Sequence, residues 1–172
     1  RQARCGLFGL CRCVAHPLCC RAWQTLSRVD LLRLIDMLDP ANEPGRIVII
    51  CRMGADKVAD KLPPLLRAVK RAGRSVVWSC DPMHGNTVTA ANGKKTRYFD
   101  AILSEVKDFF AVHRAEGTHP GGVHFELTGQ EVTECIGGAV DITVANLVER
   151  YETQCDPRLN ASQALELAFL LA

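Results

Sequence analysis

Ile47-Val48-Ile49-Ile50-Cys51-Arg52-Met53-Gly54 is an unbroken apolar run that ends in an arginine, a methionine and a glycine. A run of this kind, rather than an alternating one, marks a strand buried on both faces, as in parallel sheets. A turn, Asn42-Glu43-Pro44-Gly45, leads into it, and helical patterns lie on either side. Upstream, Ser27 is placed to cap a helix whose apolar positions Val29, Leu32, Ile35 and Met37 keep helical spacing as far as Pro40. Downstream, 62–72 reads as a helix with Pro63 in its first turn and Gly73 just past its end. Ser75 to Cys80 is the next strand, and Phe99 to Arg114 is a periodic helix broken by His119-Pro120-Gly121-Gly122. Val123 to Leu127 is a third strand, and a further helix is expected before Cys155. Strands and helices alternating over short links predict an α/β fold of parallel, right-handed βαβ units.

The 172 residues, 48% hydrophobic and 23% charged, suit a globular domain with a real core. A net charge of +2, without a basic stripe interleaved with aromatics, gives no reason to expect nucleic acid. The apolar run from Ala164 to Ala172 contains Glu166 and is too short to span a bilayer, so no membrane partner is expected. Nine cysteines, an odd number without repeated spacing, argue for reduced thiols and a cytoplasmic, bacterial-like protein. Composition changes near Thr25. Residues 1–24 form an acid-free segment rich in cysteine and arginine, not expected to be native to the fold, and 25–172 carry the α/β pattern. The chain begins at Arg1 rather than Met, so it is expected to be a piece of a longer protein. Its basic start is not serine-rich, which disfavours a plastid transit peptide. A zinc site built from Cys5, Cys11, Cys13, Cys19, Cys20 and His16 is disfavoured because the pairs lack the usual two-residue gap.

In parallel α/β folds chemistry gathers at the carboxyl ends of the strands. Arg52-Met53-Gly54 follows the first strand and Asp81-Pro82-Met83-His84-Gly85-Asn86 the second. On the third, His124 and Glu126 alternate with Val123, Phe125 and Leu127, and a carboxylate so placed needs a cationic partner. Asp156 stands in the turn Cys155-Asp156-Pro157-Arg158. His84, Glu126 and Asp156 make a set of one imidazole and two carboxylates, better suited to manganese, iron or cobalt than to structural zinc. Singly, each has an ordinary alternative: a hydrogen-bonded loop histidine, an ion-paired glutamate, a turn-forming aspartate. Arg52 is either a bidentate clamp on phosphate or carboxylate or the partner of an acid. Lys95 and Arg97, in Lys94-Lys95-Thr96-Arg97, either bind an anion or form a surface basic cluster. Cys80 and Cys155, beside the candidate ligands, read as packing residues.

Several longer stretches carry a resemblance. Arg52-Met53-Gly54, Cys80 to Thr87, Lys95-Thr96-Arg97, Thr118 to His124, Thr133 to Gly138 and Cys155 to Asn160 resemble, in order, the class II DAHP (3-deoxy-D-arabino-heptulosonate 7-phosphate) synthases. The resemblance runs from about Thr25 to Ala172. It implies a (β/α)8 TIM barrel, of which this chain would supply the C-terminal portion, about the last three βα units. It implies that His84, Glu126 and Asp156 are metal ligands for Mn2+, or alternatively Co2+, and that Arg52 binds phosphoenolpyruvate. The family's fourth ligand, a cysteine, has no counterpart here. The implied reaction condenses phosphoenolpyruvate with erythrose 4-phosphate and water to give DAHP and phosphate, a transferase step that opens the shikimate pathway. The whole protein would be a homo-oligomer, and this chain alone is expected to be inactive because its barrel cannot close. The family's Lys-x-Gly-Pro motif falls on Arg21-Ala22-Trp23-Gln24, where glycine and proline are missing, so the lysine's role is not transferred to Arg21. The rival expectations are a decayed, non-catalytic fragment or interaction module, and a different metal-dependent aldolase on a similar barrel.

Overall fold

The structure, a computed structural model, describes residues 16–172 together with Gly9, Cys11 and Val14. Cys5 and Cys13 of the disfavoured zinc site lie outside the described residues. In chain order the elements are β1 (Leu18–Trp23), α1 (Arg28–Leu38), β2 (Ile47–Arg52), α2 (Val58–Arg71), β3 (Val77–Cys80), β4 (Thr87–Thr89), β5 (Lys95–Arg97), α3 (Phe99–Glu116), β6 (Gly122–Val123) and α4 (Ala161–Leu171). β1, β2, β3 and β6 form one sheet in that order, every pair parallel. β4 and β5 form a separate antiparallel hairpin. The α/β class with a parallel sheet is therefore observed.

β1 lies inside the segment set apart on composition. Its cysteines and arginine give no apolar run, yet it pairs with β2 along its whole length, from Leu18↔Ile47 to Trp23↔Arg52. In β2, Ile47, Ile49 and Cys51 are fully buried, whereas Val48 and Ile50 are only half-buried. The fully buried face meets Leu31 and Ile35 of α1, Leu62 and Leu66 of α2, and Val106 and Phe109 of α3 in one apolar core. A smaller core of Met83, Phe99, Ile102, Cys135, Leu159 and Leu167 lies beside it, and Phe125 and Leu171 pack against both.

Ser27 caps α1 as expected, its Oγ accepting from the Asp30 amide at 3.1 Å, a contact worth about 1 kcal/mol. The buried stripe is Leu31, Ile35 and Leu38, leaving Val29 and Met37 exposed. Neighbouring apolar residues at 31 and 32 made two helical phases possible, and the sheet selects the one that buries Leu31 fully. α2 begins a turn earlier than read, where the Val58 amide bonds to Gly54 O, so Pro63 and Pro64 fall within it. α3 buries Phe99, Ile102, Glu105, Val106, Phe109 and His113 along one face and ends at Gly117 in the left-handed conformation (φ 58°).

Two expectations need correction. The third strand is not Val123 to Leu127 but the two residues of β6, paired with Ser79 and Cys80. β3 turns away after Cys80 into Asp81-Pro82, and the last rung is the His124 amide donating to Cys80 O. The helix expected between Leu127 and Cys155 is a loop with one short 3-10 turn, Ala145–Val148. Gly137, Gly138 and Asp141 there all have positive φ (88°, 86° and 50°), which helical backbone does not allow. α4, by contrast, opens with a capping box in which Asn160 and Gln163 satisfy each other's backbone amides. Among the described residues no helix is long and apolar enough to cross a membrane.

Candidate metal centre

His84 sits in the single turn after β3, Glu126 three residues beyond β6, and Asp156 in the loop that leads into α4. A parallel bridge between Leu127 and Leu159 draws the last two loops together, with Leu159 N donating to Glu126 O at 3.0 Å and Thr128 N to Leu159 O at 2.9 Å. One ligand atom from each of His84, Glu126 and Asp156 can be chosen so that all three lie within 4.8 Å of one another. His84 Nε2 is 3.3 Å from Glu126 Oε1 and 4.0 Å from Asp156 Oδ2. All three residues are half-buried, and Glu126 and Asp156 line an open cleft of about 500 Å³ with Phe125, Leu127 and Cys155.

The opposite side of each of these groups is already held. His84 Nδ1 faces Asp81 Oδ1 and Oδ2 at 3.0 and 2.9 Å. Glu126 Oε2 accepts from Arg97 Nη1 at 2.6 Å, and Asp156 Oδ1 accepts from Lys95 Nζ at 3.2 Å. Each carboxylate is thus divided, one oxygen fixed by a cation and the other turned toward the imidazole. A ligand set in which every member is oriented by an outer partner is the usual construction of a divalent-metal site. Nitrogen and carboxylate oxygen donors are the types that manganese, iron and cobalt accept. The donor chemistry and the arrangement both fit such an ion. Lys95, first among the influences on Asp156, holds its carboxyl below the usual carboxylate range.

Lys95 and Arg97 therefore reach the candidate centre, but each is engaged with a candidate ligand. β5 presents them through its pairing with β4, and Arg97 is fully buried, its Nε donating to Thr87 Oγ1 (2.8 Å) and its Nη1 also meeting Pro157 O. Arg52 is buried at the end of β2, with its Nε 2.7 Å from Asp81 Oδ2. The contact is an ion pair rather than an aligned hydrogen bond. The guanidinium also lies 5.4 Å from the centroid of Trp23, its register partner in β1. Arg21 faces Ile50 across β1 and β2, two residues along from that pair. Cys80 is buried and Cys155 exposed, and burial drives the Cys80 thiol well above its ordinary pKa.

Three residues with no role assigned from the sequence organise this region. Asp81 is fully buried and serves Arg52, His84 Nδ1, and the amides of Met83 and His84 (3.1 and 3.3 Å) at once. Burial pushes its carboxyl up, but the hydrogen bonds from His84 and the Arg52 charge outweigh that and hold it below its usual value. Glu134, also buried, binds Arg158 through its side chain (2.7 and 3.0 Å) and backbone (2.8 Å), and takes the Glu152 amide at 3.2 Å. It thereby clamps both ends of the loop that carries Asp156. Glu105 accepts from the amides of Met53 and Gly54 (3.1 and 3.0 Å) and from Asn86 Nδ2 (2.7 Å), and burial raises its carboxyl to about 7. The sequence signal for Glu105 was an acid inside the apolar stripe of α3. Asp81 directly follows the strand β3, the position where chemistry was expected, and for Glu134 no comparable pattern existed.

The family model for the class II DAHP synthetase family matches residues 1–172. The chain is 53% identical over 159 residues to "Phospho-2-dehydro-3-deoxyheptonate aldolase AroG" of Mycolicibacterium smegmatis, covering 92% of this chain and 34% of that protein. It is 55% identical over 159 residues to "Phospho-2-dehydro-3-deoxyheptonate aldolase" of Streptomyces coelicolor, covering 92% and 35%. The chain spans about a third of the length of these curated relatives. With the family match running over its whole length, the chain belongs to the class II DAHP synthetase family.

Proposed function

We propose that the full-length protein condenses phosphoenolpyruvate with erythrose 4-phosphate and water to give DAHP and phosphate, the step that opens aromatic amino acid biosynthesis. The observation that carries this is the division of labour around His84, Glu126 and Asp156. Each turns one donor atom inward while Asp81, Arg97 and Lys95 fix its other side. In this proposal the chain is the C-terminal portion, about three βα units, of a (β/α)8 barrel. The half-buried face of β2 would look into the barrel, and residues 25–172 would continue a sheet that β1 precedes. The whole protein is taken to be a cytoplasmic homo-oligomer, and the 172-residue chain alone to be inactive.

His84, Glu126 and Asp156 would hold the divalent ion, Mn2+ or Co2+, which supplies Lewis acidity toward the aldehyde oxygen of erythrose 4-phosphate. In the reaction C3 of phosphoenolpyruvate bonds to the aldehyde carbon, water adds at C2, and phosphate departs. Arg52, at the carboxyl end of β2, would neutralise and orient the phosphoenolpyruvate anion. Its ion pair with Asp81 keeps the guanidinium in place, and the Asp81 carboxylate beside Nδ1 would favour the His84 tautomer with its proton there, which leaves the Nε2 lone pair to the ion.

The test is phosphate release by the full-length protein supplied with Mn2+ and both substrates. Release should require both substrates and stop on chelation. It should fall by at least about a hundredfold in His84→Ala, Glu126→Gln and Asp156→Asn. No release by the metal-loaded wild-type protein would overturn the assignment and favour a non-catalytic member of the family.

A further inference from the structure

Glu105 belongs to α3, outside both turns of the candidate site, yet it touches both. Its Oε1 accepts from the consecutive amides of Met53 and Gly54, and its Oε2 accepts from Asn86. Gly54 has φ +89°, which lets the two amides converge on one oxygen, an anion-gripping arrangement of backbone. Asn86 in turn accepts from the Ala55 amide at 3.0 Å and donates to Pro82 O at 2.7 Å, so it joins the two turns itself. The turns are also pressed together. A Cβ at Gly85 would lie 2.5 Å from Gly54 N.

We propose that Glu105 is a positioning residue that locks the Arg52 turn to the His84 turn and so fixes the phosphoenolpyruvate and metal sites relative to each other, a role that rests on the function proposed above. The carboxylate form matches its surroundings by count, with three donors facing its two oxygens. An apolar residue would fill the same space in the α3 stripe but leave those donors buried without partners. Glutamine would match the volume, but its amide puts a donor against a donor whichever way it lies. One turn is then released while the packing of α3 is kept. Displacement on the order of 1 Å at a substrate-positioning group costs roughly a hundredfold, so even partial release is measurable.

The experiment compares full-length wild type with Glu105→Gln, and with Val106→Ala as a control that thins the same helix face without touching either turn. The readouts are thermal midpoint, Mn2+ affinity by calorimetry, and KM and kcat for phosphoenolpyruvate. Glu105→Gln should weaken Mn2+ binding and raise KM by about tenfold each while kcat changes less, whereas Val106→Ala lowers only the midpoint. If Glu105→Gln does no more than lower the midpoint, as Val106→Ala does, the residue is merely structural and the proposal fails. Should Glu105→Gln not fold, Asn86→Ala cuts the same lock, and wild-type KM and Mn2+ affinity in it would overturn the proposal equally. If wild type shows no turnover, the proposed reaction fails by itself, and the Mn2+ affinities of the variants still decide the role of Glu105.

Discussion

Replacing Asp81 by asparagine changes one oxygen into an NH2 group and should disturb two neighbours at once. The oxygen at the Oδ1 position accepts from the Met83 and His84 amides, so the retained carbonyl belongs there. The new NH2 then occupies the Oδ2 position, 2.7 Å from Arg52 Nε and 2.9 Å from His84 Nδ1. Nδ1 then meets a donor at 2.9 Å beside the retained carbonyl at 3.0 Å, so its proton is held less firmly. The tautomer that carries it on Nε2, the atom that faces Glu126 and Asp156, gains population at the expense of the lone pair a metal needs. Losing such an outer-shell partner costs about ten- to a hundredfold in metal affinity. Arg52 meanwhile stays buried without its counter-charge, and breaking a buried pair by removing one partner costs about 3–5 kcal/mol. The contact with Trp23 retains part of that, so about 3 kcal/mol is the expected loss. Calorimetric titration of full-length protein with Mn2+, and denaturant unfolding of the metal-free protein, measure the two effects separately. Wild-type Mn2+ affinity in Asp81→Asn would refute the tautomer argument. Unchanged unfolding free energy would refute the buried-pair argument.

His113 lies buried against Trp78 and Phe109, with Nδ1 hydrogen-bonded to Thr118 Oγ1, and burial lowers its pKa from 6.5 to about 4. Between those values the unfolded chain takes up a proton that the folded one refuses. Stability is therefore full above pH 6.5 and falls by about 3 kcal/mol as pH drops toward 4. Denaturant midpoints across that window should slope less in His113→Phe, and an equal slope would exclude His113 as the source. Gly85→Ala places a methyl group against the backbone of Gly54 and Met53, where nothing flexible can yield. It should cost about 1–3 kcal/mol and weaken Mn2+ binding with it, and a wild-type melting midpoint would show that the turns are not packed as described.

The parallel architecture was legible because β2 is a continuous apolar run and the helices beside it keep their period. What the sequence concealed depends on pairing and loop geometry. β1 has no strand signature among its cysteines and is ordered by its register with β2. The segment from 128 to 158 contains apolar residues enough for a helix, but Gly137, Gly138 and Asp141 adopt conformations that exclude one. His84, Glu126 and Asp156 could be named individually because each follows a strand or stands in a turn. Their convergence could not be read, since it depends on a bridge between Leu127 and Leu159, thirty-two positions apart. Asp81 and Glu134 stand in stretches that the sequence singles out, but no role could be given to them because their importance lies in how many partners each serves, and that appears only in three dimensions.

The two apolar cores have a consequence for how this region can vary. Met83 precedes His84, Phe125 precedes Glu126, and Leu159 follows Asp156 by three residues; two of these belong to the smaller core and Phe125 touches both. Arg52, by contrast, extends from Cys51 and adjoins Met53, which belong to the larger core. The imidazole and carboxylates therefore rest on one foundation and the guanidinium on another. Repacking a handful of side chains around Leu159 and Ile102 would shift the spacing of these three side chains while leaving the packing beneath Arg52 and most of the larger core untouched. The two groups are nevertheless tied to each other, by Asp81 between Arg52 and His84, by Glu105 and Asn86 between their turns, and by the close approach of Gly54 and Gly85.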